Sequence, residues 1–351
     1  MRRGRIRIVA LALWITASGS AHADQVDEFI KKEMARQRIP GLSLAVIQDG
    51  KTVKSAGYGL ADRQRQTPAT PATVYKIGSV SKQFVATGIM LLVQEGRLGL
   101  DDPISKYLEG TPSAWSPITI RHLLTHTSGI VREAPAFDWN KAQSDADVVQ
   151  SAYALPLRFK PGDKWEYSNT PYFALAEVIH KVSGQPWENY LTEKVFSPLG
   201  MNFTRATNTN TRLPNRAAGY RDNDRLLDAP DWQALRPSGA FFSTVQDLAR
   251  WDAALDSNRI LSESSRRLMW TRVSLNDGSS GPYGLGWYVD ELDGHRRVHH
   301  GGGIPGFSAD FSRFPDAGVT VIVLVNLDDN NIEAIADGVA TIYLRESSPA
   351  R

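Results

Sequence analysis

The sequence contains no cysteine among its 351 residues. Disulfide bonds, a cysteine nucleophile, cysteine zinc sites and iron–sulfur ligation are therefore excluded. A chain of this length can bury a core large enough to fold without disulfides. The sequence also lacks low-complexity tracts, internal repeats and, after its first 23 residues, any long apolar run. We therefore expect one large globular domain over residues 24–351, with no stable membrane span.

The first 23 residues differ in composition from the rest. A basic head, MRRGRIR, is followed by the ten-residue apolar run IVALALWITA and by small residues that end at Ala21-His22-Ala23. This three-part pattern predicts a secretory signal peptide that is cleaved after Ala23. Ten apolar residues fall well short of the roughly 20 that a membrane-spanning helix needs. The mature protein is therefore expected in the periplasm or outside the cell.

The chain also has little net charge of either sign. It carries 40 basic and 38 acidic residues, which gives a formal net charge of +2. The predicted signal peptide holds four arginines and no acid, so its removal changes the net charge to −2. The excess of basic residues thus belongs to the targeting segment. We therefore expect no nucleic-acid partner, and the sequence does not indicate an oligomeric state.

Strand patterns lie near both ends of the chain. The segment GLSLAVIQDGKTVKSAGYG predicts two strands joined at Asp49-Gly50, a pair that favours hairpin turns. The segments RRVHHG, GFSADFSRF and VTVIVLVNL predict strands near the other end, and a helix closes the chain over residues 331–345. Between about residues 100 and 260, helical patterns alternate with Pro- and Gly-rich loops.

This distribution predicts an α/β fold of the α+β type. Residues 24–98 and 262–351 are expected to form one antiparallel sheet, flanked on one face by the terminal helices. Residues 99–261 form a large helical insertion that covers the other face. A cleft between the sheet and the insertion is the expected place for a site.

The segment YKIGSVSKQF places Lys82 three residues after Ser79, near the start of a predicted helix. Positions three apart share a helix face, so the two side chains are neighbours. An amine that burial keeps neutral can take a proton from the hydroxyl and make the serine a nucleophile. Alone the pattern is weak, because S-x-x-K occurs about once by chance in a chain of average composition. Taken alone, it favours a Lys82 side chain that reaches to solvent.

Two further motifs follow along the chain. Tyr167 and Asn169 lie in WEYSN, where a tyrosine can relay a proton and an asparagine can orient a substrate amide. Alternatively, Tyr167 packs in the core and Asn169 caps the next helix. His300 opens a glycine-rich stretch, HGGG, on a late strand. The His300 ring can donate a hydrogen bond or carry a positive charge, and the glycines let a substrate backbone approach closely. Alternatively, the stretch is a plain glycine turn between strands.

The three motifs occur in the order of the penicillin-recognising serine hydrolases. The segments PGDKWEYSNTPYFALAEVIHKVSG, SPLGM, TIRHLLTHTSGI and PSGAFFSTVQDLARW resemble the class C β-lactamase-related family. This resemblance runs from about residue 28 to residue 343. It implies a β-lactamase/transpeptidase-like fold, similar to that of penicillin-binding proteins, and acyl-enzyme chemistry without a metal or cofactor.

The resemblance also implies a role for each motif residue. Ser79 is the acylated nucleophile and Lys82 its base, and Tyr167 passes the proton to the leaving group and later activates water. The remaining roles are substrate binding by Asn169, His300, Gly301 and Gly302, and an oxyanion hole made by the N–H groups of Ser79 and Gly303. The walls of the cleft, in loops such as residues 131–147 and 205–236, would select the substrate.

The third motif departs from that of β-lactamases. Class C β-lactamases carry lysine where this chain carries His300, and histidine resembles the esterase, D-amino-acid amidase and D-peptidase branch. A histidine is mostly neutral at pH 7, which argues against efficient β-lactam hydrolysis. We therefore expect an exported serine hydrolase that cleaves a small ester or amide, such as a D-amino-acid peptide or a β-lactam. The alternatives are a β-lactamase or D-Ala-D-Ala carboxypeptidase proper, and a non-catalytic peptidoglycan-binding module.

Two other hydrolase types fit the sequence less well. His122 and His126 are four residues apart on a predicted helix, a spacing that can bind one metal ion. The intervening residues include no glutamate, so the H-E-x-x-H pattern of zinc proteases is absent. The sequence also contains no G-x-S-x-G, the nucleophile motif of α/β-hydrolases. Helix packing is the simpler interpretation of the two histidines.

Overall fold

The computed structural model describes residues 15–138, 141, 143–206, 213–221, 226–228, 237–239 and 241–347. The helices within these ranges are α1 (Ile15–Gln37), α2 (Lys82–Gln94), α3 (Ile120–Leu124), α4 (Asp145–Ser151), α5 (Thr170–Ser183), α6 (Trp187–Leu191), α7 (Ser197–Leu199), α8 (Val245–Leu255), α9 (Glu263–Met269) and α10 (Ile332–Ser347). Shorter 3₁₀ turns lie at Gly78–Ser81, Ile104–Lys106, Ser113–Trp115 and Pro315–Ala317, and a π turn lies at Thr192–Phe196.

The strands are β1 (Gly41–Gln48), β2 (Lys51–Asp62), β3 (Thr67–Pro68), β4 (Tyr75–Lys76), β5 (Arg205–Ala206), β6 (Tyr220–Arg221), β7 (Leu227–Asp228), β8 (Phe241–Ser243), β9 (Tyr288–Leu292), β10 (His295–Ile304), β11 (Phe307–Phe314) and β12 (Val319–Val325). Within the described ranges, the main sheet is antiparallel with the order β3-β2-β1-β12-β11-β10-β9. Because β1 pairs with β12, the two ends of the chain meet at the middle of this sheet. The predicted antiparallel sheet built from both chain ends is therefore confirmed.

The hairpin between β1 and β2 turns at the predicted pair. Asp49 and Gly50 both have positive φ angles, of 50° and 72°. Two successive left-handed residues are typical of the type I′ turn, whose twist matches that of the strands it joins. Aspartate tolerates this conformation and glycine adopts it freely. The local sequence therefore sets the pairing of β1 with β2.

The main sheet is buried on both faces. On β12, Val321, Val323 and Val325 pack into the cluster formed with α1 and α10. The alternate residues Ile322 and Leu324 pack into the larger cluster on the opposite face, which includes residues of α2, α5 and α8. Burial on both sides explains why VTVIVLV shows no regular polar alternation. The terminal helices thus cover one face, and the helical part of the chain covers the other.

Helix α1 covers part of the predicted signal peptide. None of the helices in the described ranges has the length and apolar character needed to cross a membrane. Helix α1 begins at Ile15 and continues past Ala23. Residues 1–14 lie outside the described part of the chain. The signal peptide and its cleavage after Ala23 therefore remain predictions.

Candidate active site

Ser79 lies in the 3₁₀ turn Gly78–Ser81, between strand β4 and helix α2. The turn is held on both sides, because the Ile77 N–H donates to Phe241 O at 2.9 Å and the Ser81 hydroxyl donates to Gly78 O at 2.6 Å. Gly78 has a φ of 51°, which favours glycine. Ser79 itself is only half-buried. Its hydroxyl is thus fixed in direction and open to a ligand.

Lys82 begins helix α2, and its side chain is fully buried. This burial excludes a lysine that reaches to solvent. Its Nζ lies 3.1 Å from Ser79 Oγ, 2.8 Å from Asn169 Oδ1 and 2.7 Å from Ser238 O. The last two oxygens can only accept a hydrogen bond. A neutral amine would donate to them and keep its lone pair for the Ser79 hydroxyl proton, which is the arrangement a general base requires.

Asn169 directly precedes helix α5, but its side chain does not cap that helix. Its Oδ1 accepts from Lys82, and its Nδ2 donates to Glu133 Oε1 at 2.5 Å. The Asn169 N–H donates to the Arg132 carbonyl at 2.9 Å. The amide therefore links the buried Lys82 to Glu133, an exposed carboxylate.

The Tyr167 ring lies beside this network. Lys82 Nζ is 4.7 Å from the ring centroid, and the Arg132 guanidinium carbon is 5.7 Å from it. Burial raises the pKa of the Tyr167 phenol well above its ordinary value, and the nearby Ser79 hydroxyl lowers that pKa by a smaller amount. Within the described part of the chain, the phenol oxygen makes no hydrogen bond of normal geometry. The resting phenol therefore carries its proton.

His300 is buried, and both of its ring nitrogens have partners. Nδ1 lies 2.6 Å from Gly301 O, which can only accept, so Nδ1 carries the proton. Nε2 then accepts from the Tyr283 hydroxyl at 2.7 Å. Burial lowers the pKa of His300 well below its ordinary value of 6.5, and the charge of Lys82 lowers that pKa further. The ring is therefore neutral, and its role in substrate binding stays a prediction.

The glycines of the third motif pack against the Ser79 turn. A Cβ atom on Gly302 would lie 2.9 Å from Ser79 N and well inside van der Waals contact of Ile77 O. A Cβ atom on Gly78 would lie 2.7 Å from Gly303 N. The sequence predicted that these glycines leave room for a substrate backbone to approach. In the structure, the missing side chain of Gly302 leaves room for the protein's own Ser79 turn. The proximity brings β10 to Ser79, as the predicted oxyanion hole requires.

The two histidines of the metal hypothesis have separate surroundings. His122 takes part in a capping box with Thr119 at the start of α3. His126 is buried, its Nδ1 accepts from the Ser168 N–H at 3.2 Å, and its ring centroid lies 4.4 Å from that of Tyr167. His126 therefore supports the Tyr167 segment from behind. In the described ranges, no group of three or more potential metal ligands occurs.

Sequence reasoning missed several contributors to the site. Ser238 contributes a main-chain carbonyl, which leaves no side-chain signature. The Tyr283 hydroxyl donates to His300 Nε2 from a position 17 residues earlier in the chain. Glu133 and Arg132 lie within a predicted cleft-wall loop, so their location was indicated but not their contacts. Residues 139, 140, 142, 207–212, 222–225 and 229–236 of the two predicted cleft-wall loops lie outside the described residues.

Comparison with known proteins gives one consistent result. The family model described as Beta-lactamase matches residues 26–342. Penicillin-binding protein 4* of Bacillus subtilis is 32% identical over 78% of this chain and 65% of its own length. This chain thus spans about two thirds of that relative.

Two solved structures share the fold over nearly the whole chain. The octameric penicillin-binding protein homologue from Pyrococcus abyssi has a TM-score of 0.83 and 30% identity, covering 92% of this chain and 77% of that one. The D-amino acid amidase from Ochrobactrum anthropi SV3 has a TM-score of 0.79 and 25% identity, covering 93% of this chain and 98% of that one. These comparisons confirm the predicted fold and the predicted family resemblance.

The packing of Gly302 predicts that a single methyl group disrupts the site. Gly302→Ala should push β10 away from the Ser79 turn and destabilise the fold by about 1–3 kcal/mol, as overpacking typically does. Thermal unfolding provides the measurement. Gly303→Ala is the matched control for stability, because a Cβ atom there meets nothing within 4 Å. Equal unfolding temperatures for the two variants would contradict the packing role of Gly302.

The environment of His300 predicts an imidazole that stays neutral in mildly acidic solution. Nitrogen-15 NMR should show a proton on Nδ1 and none on Nε2 below pH 6.5, where an ordinary imidazole is protonated. The His300→Asn variant assigns the signal. Unfolded His300 gains a proton below about pH 6.5, so its contribution to stability is complete above that pH and decreases as the pH falls. A His300 signal that titrates near pH 6.5 would refute this assignment.

Proposed function

Since this chain belongs to the Beta-lactamase family of serine hydrolases, we propose that it cleaves a small ester or amide through an acyl-enzyme on Ser79. The observation that carries this proposal is the 3.1 Å contact between Lys82 Nζ and Ser79 Oγ. A fully buried amine this close to an accessible hydroxyl is the arrangement that activates a serine nucleophile. The predicted signal peptide supports the further proposal that the protein is exported.

Acylation begins when the Ser79 hydroxyl proton moves to the neutral Lys82 amine. Ser79 Oγ then bonds to the substrate carbonyl carbon, and the carbonyl electron pair moves to its oxygen. The N–H groups of Ser79 and Gly303 stabilise that negative charge. The tetrahedral intermediate collapses as Tyr167 donates its proton to the leaving group. The Lys82 ammonium then returns a proton to Tyr167, which restores both groups.

Deacylation uses the same groups with water in place of the leaving group. Tyr167 first passes its proton to the Lys82 amine, and the resulting phenolate takes a proton from water as the oxygen attacks the acyl carbon. The Lys82 ammonium then gives its proton to Ser79 Oγ as the bond to the acyl carbon breaks, which releases the acid and restores the serine hydroxyl. Because Lys82 contacts Ser79 directly and Tyr167 carries its proton at rest, we assign the first proton transfer to Lys82 and the leaving-group transfer to Tyr167.

The charges around the cleft favour a substrate with a free amino group. Glu133 accepts from the Asn169 amide and lies on the exposed side of the site. A carboxylate there can receive the ammonium group of an amino-acid amide or peptide. The resemblance to a D-amino acid amidase and to a D-stereospecific amidohydrolase from Streptomyces supports D-amino-acid amides and peptides as the substrate class. The neutral His300 makes efficient β-lactam hydrolysis the weaker alternative.

Replacing the nucleophile tests the reaction type. Ser79→Ala should abolish labelling by a fluorophosphonate probe and hydrolysis of a p-nitrophenyl ester and a D-amino-acid amide, because the change removes the proposed nucleophile. Ser264→Ala removes a hydroxyl from an exposed serine and should keep wild-type activity. Nitrocefin and a D-Ala-D-Ala peptide complete the substrate panel. Full activity in Ser79→Ala excludes the proposal, and a folded wild-type protein that is not labelled favours the peptidoglycan-binding module.

Glu133→Gln tests recognition of the amino group. The variant keeps an oxygen that can accept from Asn169 but removes the negative charge. We expect kcat/KM for D-phenylalanine amide to fall about 10- to 100-fold, the effect of losing a charged hydrogen bond. The N-acetylated amide has no ammonium group and should change by no more than about twofold. An equal loss on both substrates would assign Glu133 to holding Asn169 instead.

A further inference from the structure

Arg132 offers a second charged contact at the same cleft. Its guanidinium faces the Tyr167 ring and is exposed to solvent. We propose that it binds a carboxylate on the leaving group of the substrate. This inference rests on the proposed hydrolase function and narrows its substrate class. The bond cleaved is then one whose leaving group is an amino acid or peptide with a free carboxylate.

The backbone of Arg132 is fixed to the second catalytic motif. Its carbonyl accepts from the N–H groups of Asn169 and Thr170, at 2.9 Å and 3.1 Å. The guanidinium carbon lies 5.7 Å from the centre of the Tyr167 ring, within the range of a cation–π contact. The main-chain carbonyl and the guanidinium of Arg132 therefore both contact the segment that carries Tyr167 and Asn169. These contacts hold the positive charge near the reacting groups.

The Arg132 guanidinium makes no ion pair or hydrogen bond with the described residues. Buried arginines elsewhere behave differently: Arg297 pairs with Asp290 and Asp337, and Arg313 pairs with Asp252. A guanidinium presents a planar fork of donors that matches the two oxygens of a carboxylate. At Arg132 that fork remains available to a ligand.

Among the described residues, the other two basic side chains of the three motifs cannot take this role. Lys82 is fully buried, and its amine already contacts oxygens of Ser79, Asn169 and Ser238. His300 is neutral, and both of its ring nitrogens have partners. Of the three, only Arg132 is exposed, so a substrate carboxylate that approaches Tyr167 can pair with its guanidinium.

Because Arg132 lies beside Tyr167, the substrate carboxylate that it binds belongs to the leaving group. In the proposed reaction, Tyr167 gives its proton to the departing nitrogen, so groups over its ring lie on the leaving-group side. Glu133 contacts Asn169 instead, which belongs to the side of the acyl amide. The two neighbouring residues thus present opposite charges toward opposite ends of a peptide. A short peptide with a free ammonium and a free carboxylate matches both.

The reaction balances for such a substrate. The C–N bond breaks after Ser79 Oγ has bonded to the carbonyl carbon, and the departing nitrogen receives the Tyr167 proton. The first product is a free amino acid or peptide, which dissociates when its carboxylate separates from Arg132. Water later supplies the oxygen and proton that release the second product.

The test measures binding separately from turnover. Ser79→Ala and Ser79→Ala/Arg132→Gln proteins are titrated calorimetrically with D-alanyl-D-alanine and with its C-terminal amide. We expect the charge-removing Arg132→Gln change to weaken dipeptide binding about tenfold and amide binding by less than about twofold. Arg132→Lys should retain part of the preference, because it keeps the charge without the fork. Arg267→Gln, which removes the charge of an exposed arginine in α9, is the matched control and should change neither affinity.

Kinetics with Ser79 intact give the second measurement. Arg132→Gln should raise KM for the dipeptide more than KM for its C-terminal amide. Because the Arg132 charge also lowers the pKa of Tyr167, any shift of the pH profile should be the same for both substrates. Equal weakening of both ligands, or an equal rise in KM for both substrates, overturns the proposal. A Ser79→Ala protein that binds both ligands equally also overturns it. A wild-type protein that hydrolyses neither dipeptide nor ester instead contradicts the proposed function, whatever the binding result.

Discussion

The buried amine of Lys82 is the constraint on which the site depends. A fully buried amine needs an oxygen partner for each N–H, because an unpaired one costs several kcal/mol. Its partners come from three separate segments: the turn before α2, the residue before α5, and the segment 237–239 that precedes β8. These segments must converge for Lys82 to be buried. The contacts that satisfy the amine in the fold are also the contacts that place it beside Ser79.

The main sheet closes the site from the other side. Gly302 on β10 lies against Ile77 and Ser79, so the strand and the turn share a contact with no room for a side chain. Strand β10 is in turn held by β11 and by the central strands that join the two chain ends. The Ser79 turn is therefore packed between the sheet and the helical part of the chain. Little rearrangement is needed before reaction, which favours the preorganised stabilisation of charge.

Sequence alone predicted the elements whose signals are local. The Asp49-Gly50 turn, the strand patterns at both ends and the order of the three motifs each depend on neighbouring residues. Contacts that depend on distant segments were not predictable in this way. The S-x-x-K spacing could not show whether Lys82 is buried, and a carbonyl such as that of Ser238 has no residue preference. The charge of His300 depends on burial and on Lys82, which only the folded chain brings near the ring.

The neutral state of the His300 ring affects where the charges of the site lie. A lysine at that position would place a cation near the Lys82 amine, whereas a neutral imidazole adds no repulsion when that amine takes up the Ser79 proton. The charges proposed to recognise substrate then lie on Arg132 and Glu133, in exposed positions where desolvation costs little and water screens the attraction. The buried residues therefore determine how the bond is cleaved, and the exposed pair adjoins them, Glu133 through Asn169 and Arg132 through the Tyr167 ring. Chemistry and specificity are thus carried by different groups that contact one another, so a change in the exposed pair also acts on the catalytic residues.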